Sequence, residues 1–227
     1  MRLALAVSVA AILLIVPGSA ADNIWTNAAG TSAWNLVDTN WTGPVFWNNN
    51  PAAVDVAIFG PTGAGTVTVA SGINARALGF SANGYVLSGG GITFQNTGAG
   101  SFGAGQLSVD SGVIARVDSN LLSAVTFTKM GAGEIVLGGA NNFTGATVNY
   151  YGQNVHFLVG GTNANAGTVR LASGAAISPG AAIGVRFGRL ELGAFNLSID
   201  RVVVGGSFVS APINDCLLYT SPSPRDS

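Results

Sequence analysis

Catalysis by a nucleophile and a base needs a side chain that exchanges protons near neutral pH, and the 227-residue chain holds a single histidine, His156. It lies in Asn154-Val155-His156-Phe157-Leu158, an apolar run with no acid beside it. A structural role suits that setting better than a catalytic one. The acids are scattered: Asp38, Asp55, Asp110, Asp118, Glu134, Glu191 and Asp200. No local pair suits glycoside hydrolysis, although residues distant in sequence can meet in a fold. Asp-x-Asp is absent, as is the Gly-Gly-x-Gly-x-Asp calcium repeat. Gly98-Ala99-Gly100-Ser101-Phe102-Gly103 is glycine-rich but lacks the Gly-Lys-Ser/Thr of a phosphate loop. The expectation is no catalytic residue, no bound metal and no cofactor. Three aromatics, Trp34, Trp41 and Trp47, are candidates for stacking on a sugar ring. Covering the apolar end of a core is the competing reading and the favoured one.

Composition narrows the classes further. Charged residues make up 8% of the chain, about a third of the usual ~25%. Nine Lys and Arg face ten Asp and Glu, so there is no electrostatic case for nucleic acid or for an anionic membrane. Glycine is abundant at 33 residues. The recurring β-branched runs nonetheless argue for a folded β protein rather than disorder.

Both ends stand apart. Met1-Arg2 and the apolar run Leu3 to Val16, followed by Pro17-Gly18-Ser19-Ala20-Ala21, read as a secretory signal over 1–21. The run is shorter than the ~20 residues of a membrane-spanning helix. Cys216-Leu217-Leu218-Tyr219-Thr220-Ser221-Pro222-Ser223-Pro224-Arg225-Asp226 back-translates into a string that resembles a transposon-end sequencing adapter. Residues 216–227 are therefore read as an adapter-derived artefact that interrupts a longer native gene. Setting them aside removes the one cysteine, and with it any disulfide framework.

The elements in between are short strands punctuated by glycine. Thr66-Val67-Thr68-Val69, Gln106-Leu107-Ser108-Val109, Glu134-Ile135-Val136-Leu137 and Thr168-Val169-Arg170-Leu171 alternate polar and apolar residues, with Val136 the exception. Ala64-Gly65, Ala104-Gly105, Ala132-Gly133 and Ala166-Gly167 precede them. Such units cannot bury an apolar face alone. Stacking satisfies their backbones and builds a shared core. Glycine, and asparagine at Asn83-Gly84 and Asn141-Asn142, would supply the left-handed corners. The prediction is an all-β, right-handed parallel β-helix over 61–215. The tryptophan-rich segment 22–60 would form an aromatic N-terminal cap.

Two stretches then bear comparison with a family. Lys129-Met130-Gly131-Ala132-Gly133-Glu134-Ile135-Val136-Leu137-Gly138-Gly139-Ala140-Asn141-Asn142-Phe143-Thr144-Gly145 resembles the autotransporter-associated β-strand repeat, with Ala166-Gly167-Thr168-Val169-Arg170-Leu171 as its closing phrase. Trp34-Asn35, Asn40-Trp41 and Asp55-Val56-Ala57-Ile58-Phe59-Gly60 resemble the opening segment of such proteins. Asp55 then reads as a structural carboxylate that accepts turn N–H groups. The chain departs from the pattern at Gly138, where serine is usual, and at Tyr150-Tyr151 with the long insert to Gly161. The resemblance implies a secreted or cell-surface, structural or adhesive protein, outer-membrane-associated in full length and passenger-like. It would touch a membrane only through a C-terminal barrel or anchor outside this sequence. Its partners would be surface glycans or a host or neighbouring cell surface. Two alternatives stay open: an extracellular polysaccharide-processing enzyme, and a carbohydrate-binding module, on the same scaffold.

Overall fold

A computed structural model describes residues 21–42, 46–98, 100–123, 125–143, 145–160 and 167–205, and the backbone of 217–219. The signal segment up to Ala20, Thr144, Ala166 and most of the 216–227 tail lie outside the described residues.

The described residues form strands and no helix. The chain makes β1 (Asp22–Ile24) and β2 (Ala33–Trp34), then β3 (Val56–Phe59), β4 (Thr66–Val69) and β5 (Ile73–Ala75). Next come β6 (Ala77–Phe80), β7 (Val86–Gly89) and β8 (Ile92–Phe94), then β9 (Gln106–Val109), β10 (Ile114–Val117) and β11 (Leu121–Ser123). They are followed by β12 (Phe127–Met130), β13 (Glu134–Leu137), β14 (Val148–Tyr150) and β15 (Gln153–Val155). The last are β16 (Phe157–Val159), β17 (Thr168–Leu171), β18 (Ala182–Val185), β19 (Arg189–Glu191), β20 (Arg201–Val204) and β21 (Leu217–Tyr219).

These strands build two eight-stranded sheets. The first runs β1-β3-β6-β9-β12-β16-β18-β20 and the second β2-β4-β7-β10-β13-β17-β19-β21. β11-β8-β5 form a third, smaller sheet. Every pairing in these three sheets is parallel. The chain thus visits the sheets in rotation, and each pass lays its strands beside those of the pass before. Such long parallel sheets are consistent with a β-solenoid. Segment 22–60 is not separate from them, because it contributes β1, β2 and β3.

The recurring phrase does not mark a single sheet. The phrases at Gly65, Gly133 and Gly167 lead into β4, β13 and β17 of the second sheet, but the one at Gly105 leads into β9 of the first. The phrase specifies a tight turn feeding a half-buried strand. Both sheets need that unit, so the phrase does not encode which sheet it joins. The asparagine corners differ from expectation. The described non-glycine residues with positive φ are Asn27, Ser32 and Tyr151, so Asn83 and Asn141 are not left-handed. They tie passes together through their amides instead. Asn83 Oδ1 accepts the Ile114 N–H at 2.7 Å, and Asn141 Oδ1 accepts that of Leu121 at 2.8 Å.

Alternation turns one edge of each strand inward. Val67 and Val69, Leu107 and Val109, Ile135 and Leu137, and Val169 and Leu171 all lie in one core. Each such side chain contributes about 1.5–3 kcal/mol by leaving water. An aromatic column, Phe94, Phe127, Phe143 and Phe157, crosses the passes with centroids 4.5–5.0 Å apart along the series. The two long sheets differ on their outer faces. That of the first is largely covered: Phe102 lies over Gly79, and Tyr150 over Gly184. That of the second is open, with Ile114, Arg170 and Arg189 at the surface. The first sheet therefore tolerates apolar outward residues such as Leu158, as parallel sheets covered on both sides do.

Candidate functional site

The three candidate tryptophans come together, but inside the protein. Trp34, Trp41 and Trp47 are buried and meet one another with centroids 4.7–5.0 Å apart. Trp25 joins them edge-on at 5.1 Å, and Phe59 packs on Trp34 at 5.8 Å. Trp25 Nε1 donates to Gly63 O at 3.0 Å, and Trp47 Nε1 to Asn74 O at 2.9 Å. Their ring faces are turned to each other rather than to solvent. His156 sits between β15 and β16, where Nδ1 accepts the Ala182 N–H at 3.0 Å. Asp55 is buried and accepts the Ala21 N–H at 2.8 Å and the Asn23 amide at 2.5 Å. Burial raises its pKa, against the pull of these donors.

The acids do not form a metal site: no group of three or more His, Cys, Asp or Glu converges among the described residues. Two of them converge on one cation. On the open face of the second sheet, Arg170 reaches Glu134 at 3.1 Å on one side and Glu191 at 2.7 Å on the other. Arg189 closes on Glu191 at 2.8 Å. Arg170 stands beside Glu191 in register, while Glu134 reaches it diagonally from two residues before its neighbour Val136 on β13. Each pair is part-exposed, and its contribution to stability is about 0–1 kcal/mol.

A buried cation lies on the other sheet. Lys129 of β12 points inward, in register with Leu107 and Val159. Nζ donates to the carbonyls of Met130 at 2.8 Å, Gly131 at 2.9 Å and Gly133 at 3.0 Å, knitting the turn between β12 and β13. Burial lowers the amine pKa to about 7 from 10.5. The folded state therefore holds fewer protons than the unfolded state between pH ~7 and ~10.5, and stability from this group rises across that window. Below pH 7 the full cost of the buried ammonium is present. Urea titrations at pH 7 and pH 9.5 should show the rise, and Lys129→Met should flatten it. Equal slopes in parent and variant would refute the assignment.

The covered face of the first sheet carries an irregular feature. β14 and β15 form an antiparallel hairpin inserted between β13 and β16. Tyr150 faces the sheet, packing with Val155 and Leu158 in a small satellite core. Gly184 provides its seat, since a Cβ there would lie 3.0 Å from the Tyr150 ring. Arg201 Nη1 donates to Gln153 Oε1 at 2.7 Å. The turn holds Tyr151 at φ 50° and Gly152 at φ 75°, the two positive φ values of a type I′ hairpin. Tyr151 is 50% exposed, and its ring meets that of Tyr150 edge-on at 4.7 Å.

Beside the hairpin lies a groove of about 460 Å³. Thr128 of β12 and Leu158 of β16, neighbours in register, lie side by side in its floor, and Asn96, Ala104, Val125, Thr126, Thr147 and Val148 line it as well. None of its described lining residues is charged. Sequence reading noted Tyr150-Tyr151 only as an insert. The signal was present, because Val148-Asn149-Tyr150-Tyr151-Gly152-Gln153-Asn154-Val155 flanks a Tyr-Gly turn with mirrored residues. The groove had no such signal, since its walls come from three separate stretches of chain.

Comparison with known proteins adds one relative. The chain is 36% identical over 150 residues to Adhesin BmaC autotransporter of Brucella suis biovar 1 (strain 1330), a stretch covering 59% of this chain. It spans only 4% of that protein's length. No family model matches the chain. No solved structure matches it.

Proposed function

We propose that the chain is a stretch of a secreted or cell-surface β-solenoid with a structural or adhesive, passenger-like role. Its coils wind as a right-handed parallel β-helix, the hand of about 98% of parallel crossovers. Trp25, Trp34, Trp41 and Trp47 close its first coil as an aromatic cap. In this reading, residues 1–21 are a leader, 22–60 the cap, 61–215 the repeats and 216–227 adapter-derived. The observation that carries the proposal is the rotation of the chain among parallel sheets, each pass beside the last. The likeness to a stretch of an adhesin supports the surface role. Contacts with surface glycans or another cell would be made by side chains on the faces and by the inserted hairpin. Small-angle scattering of the recombinant chain should give the profile of an elongated rod. A compact globule would overturn the proposal.

A second reading has its own observation. Glu134 and Glu191 meet on Arg170, as acids and a basic residue do in some polysaccharide-cleaving β-helices. Depolymerisation of acidic polysaccharides by the parent chain, lost in Glu134→Gln, would favour an enzyme. An inactive parent chain removes it. The carbohydrate-binding reading that uses Trp34, Trp41 and Trp47 requires their buried rings to open. Glycan binding abolished by Trp41→Ala in a folded variant would support it.

A further inference from the structure

We infer that the groove beside the hairpin, together with Tyr151 at its tip, is a binding site for an uncharged glycan chain. The inference rests on the adhesive reading and gives it an address. Its volume of about 460 Å³ falls within the roughly 300–1,000 Å³ of small-ligand sites. Its polar groups are the hydroxyls of Thr126, Thr128 and Thr147 and the amide of Asn96, set among the apolar Val148 and Leu158. Hydroxyls and amides both donate and accept, which matches the mixed requirements of sugar hydroxyls. A lining without charge gives an anionic saccharide nothing to pair with.

β12 is bonded to β9 on one edge and to β16 on the other, so the sheet under the groove leaves no backbone edge for strand addition. Among the described residues β14 pairs only with β15, and an extended peptide laid on its other edge is the rival occupant that phage display tests. Tyr151 supplies the aromatic partner that the interior tryptophans do not. It stands three residues beyond Val148, about 10 Å along the strand, so a chain of a few sugar units could lie in the groove and reach the ring. The ring is held rather than loose. Its residue adopts a left-handed conformation unusual for a bulky side chain, with the ring braced on Tyr150. Backbone outliers kept by surrounding structure concentrate at binding sites.

The test is a printed array of neutral oligosaccharides beside sulfated and sialylated ones, probed with the full chain. Tyr151→Ala, Tyr151→Phe, Thr128→Val and, on the far sheet, Arg116→Gln would be compared, each checked for an unchanged circular dichroism spectrum. Binding to neutral glycans is expected. Tyr151→Ala and Thr128→Val should each weaken it about threefold to tenfold, while Tyr151→Phe and Arg116→Gln leave it unchanged. The inference is overturned by an empty array, by binding to charged glycans alone, or by neutral binding indifferent to both groove variants. Selection of peptides by phage display that Tyr151→Ala abolishes, with no glycan bound, would overturn it too. In each of these outcomes, adherence of the chain to cell surfaces would keep the adhesive reading while removing this site. Absence of both would remove both.

Discussion

Replacing Trp34 with alanine is expected to lower the unfolding free energy by about 3–5 kcal/mol. The side chain is fully buried and makes edge contacts with Trp47 at 4.8 Å, Trp41 at 5.0 Å and Phe59 at 5.8 Å. Its backbone stands in register with Val69 of β4. No neighbour can close the space, since the surrounding rings are rigid and already in contact. One term opposes the loss. Trp34 Nε1 is buried with no partner among the described residues, and deleting it removes a desolvation cost of about 1–3 kcal/mol. Trp34→Phe separates the two terms, because it keeps most of the volume and drops the N–H. It should cost clearly less than the alanine variant. Urea midpoints for the three proteins decide the matter. A loss below about 1 kcal/mol for Trp34→Ala would show that these rings are not a packed core.

Gly131→Ala is expected to be nearly as damaging, by about 3–4 kcal/mol. Gly131 has φ 75°, where a Cβ costs about 1–2 kcal/mol. That Cβ would also enter the backbone of Val109 in the preceding pass, against its carbonyl oxygen. The oxygen cannot retreat, since it accepts the Gly133 N–H at 3.0 Å. Gly72 supplies the control. Its φ is 76°, but a Cβ there meets nothing within 4 Å. Gly72→Ala should therefore lose only the conformational part, about 1 kcal/mol. Thermal or urea unfolding of both variants measures the difference. Equal losses would mean that the close approach of successive passes contributes nothing.

What could be read in the residues follows from where the information lies. Val67, Leu107 and Val169 alternate with polar neighbours, and alternation is local, so these strands and their inner faces were legible. Which sheet each strand joins is not local: the phrase at Gly105 leads into the first sheet and its three counterparts into the second. Lys129 was legible as part of a motif but not as a buried cation. Charge and length alone do not say that a lysine will turn inward to meet three carbonyls. Gly138, where serine is usual in the resembling repeat, has a simple account in three dimensions. A Cβ there would collide with the Asp118 carboxylate of the pass beneath, which is paired with Arg116 at 2.8 Å. The groove was not legible at all. Asn96, Thr128 and Thr147 are ordinary residues that only stacking draws to one place.

The order of strands in the two long sheets has a further consequence. Each interior strand exchanges backbone bonds only with the one before it and the one after it, so cooperativity is one-dimensional, like that of a zipper. Melting should begin at a terminus and travel inward, because an interior opening must break two interfaces at once. In the proposed reading of the indole cluster as a cap on the first coil, it would act as a latch that raises the threshold for fraying from that side.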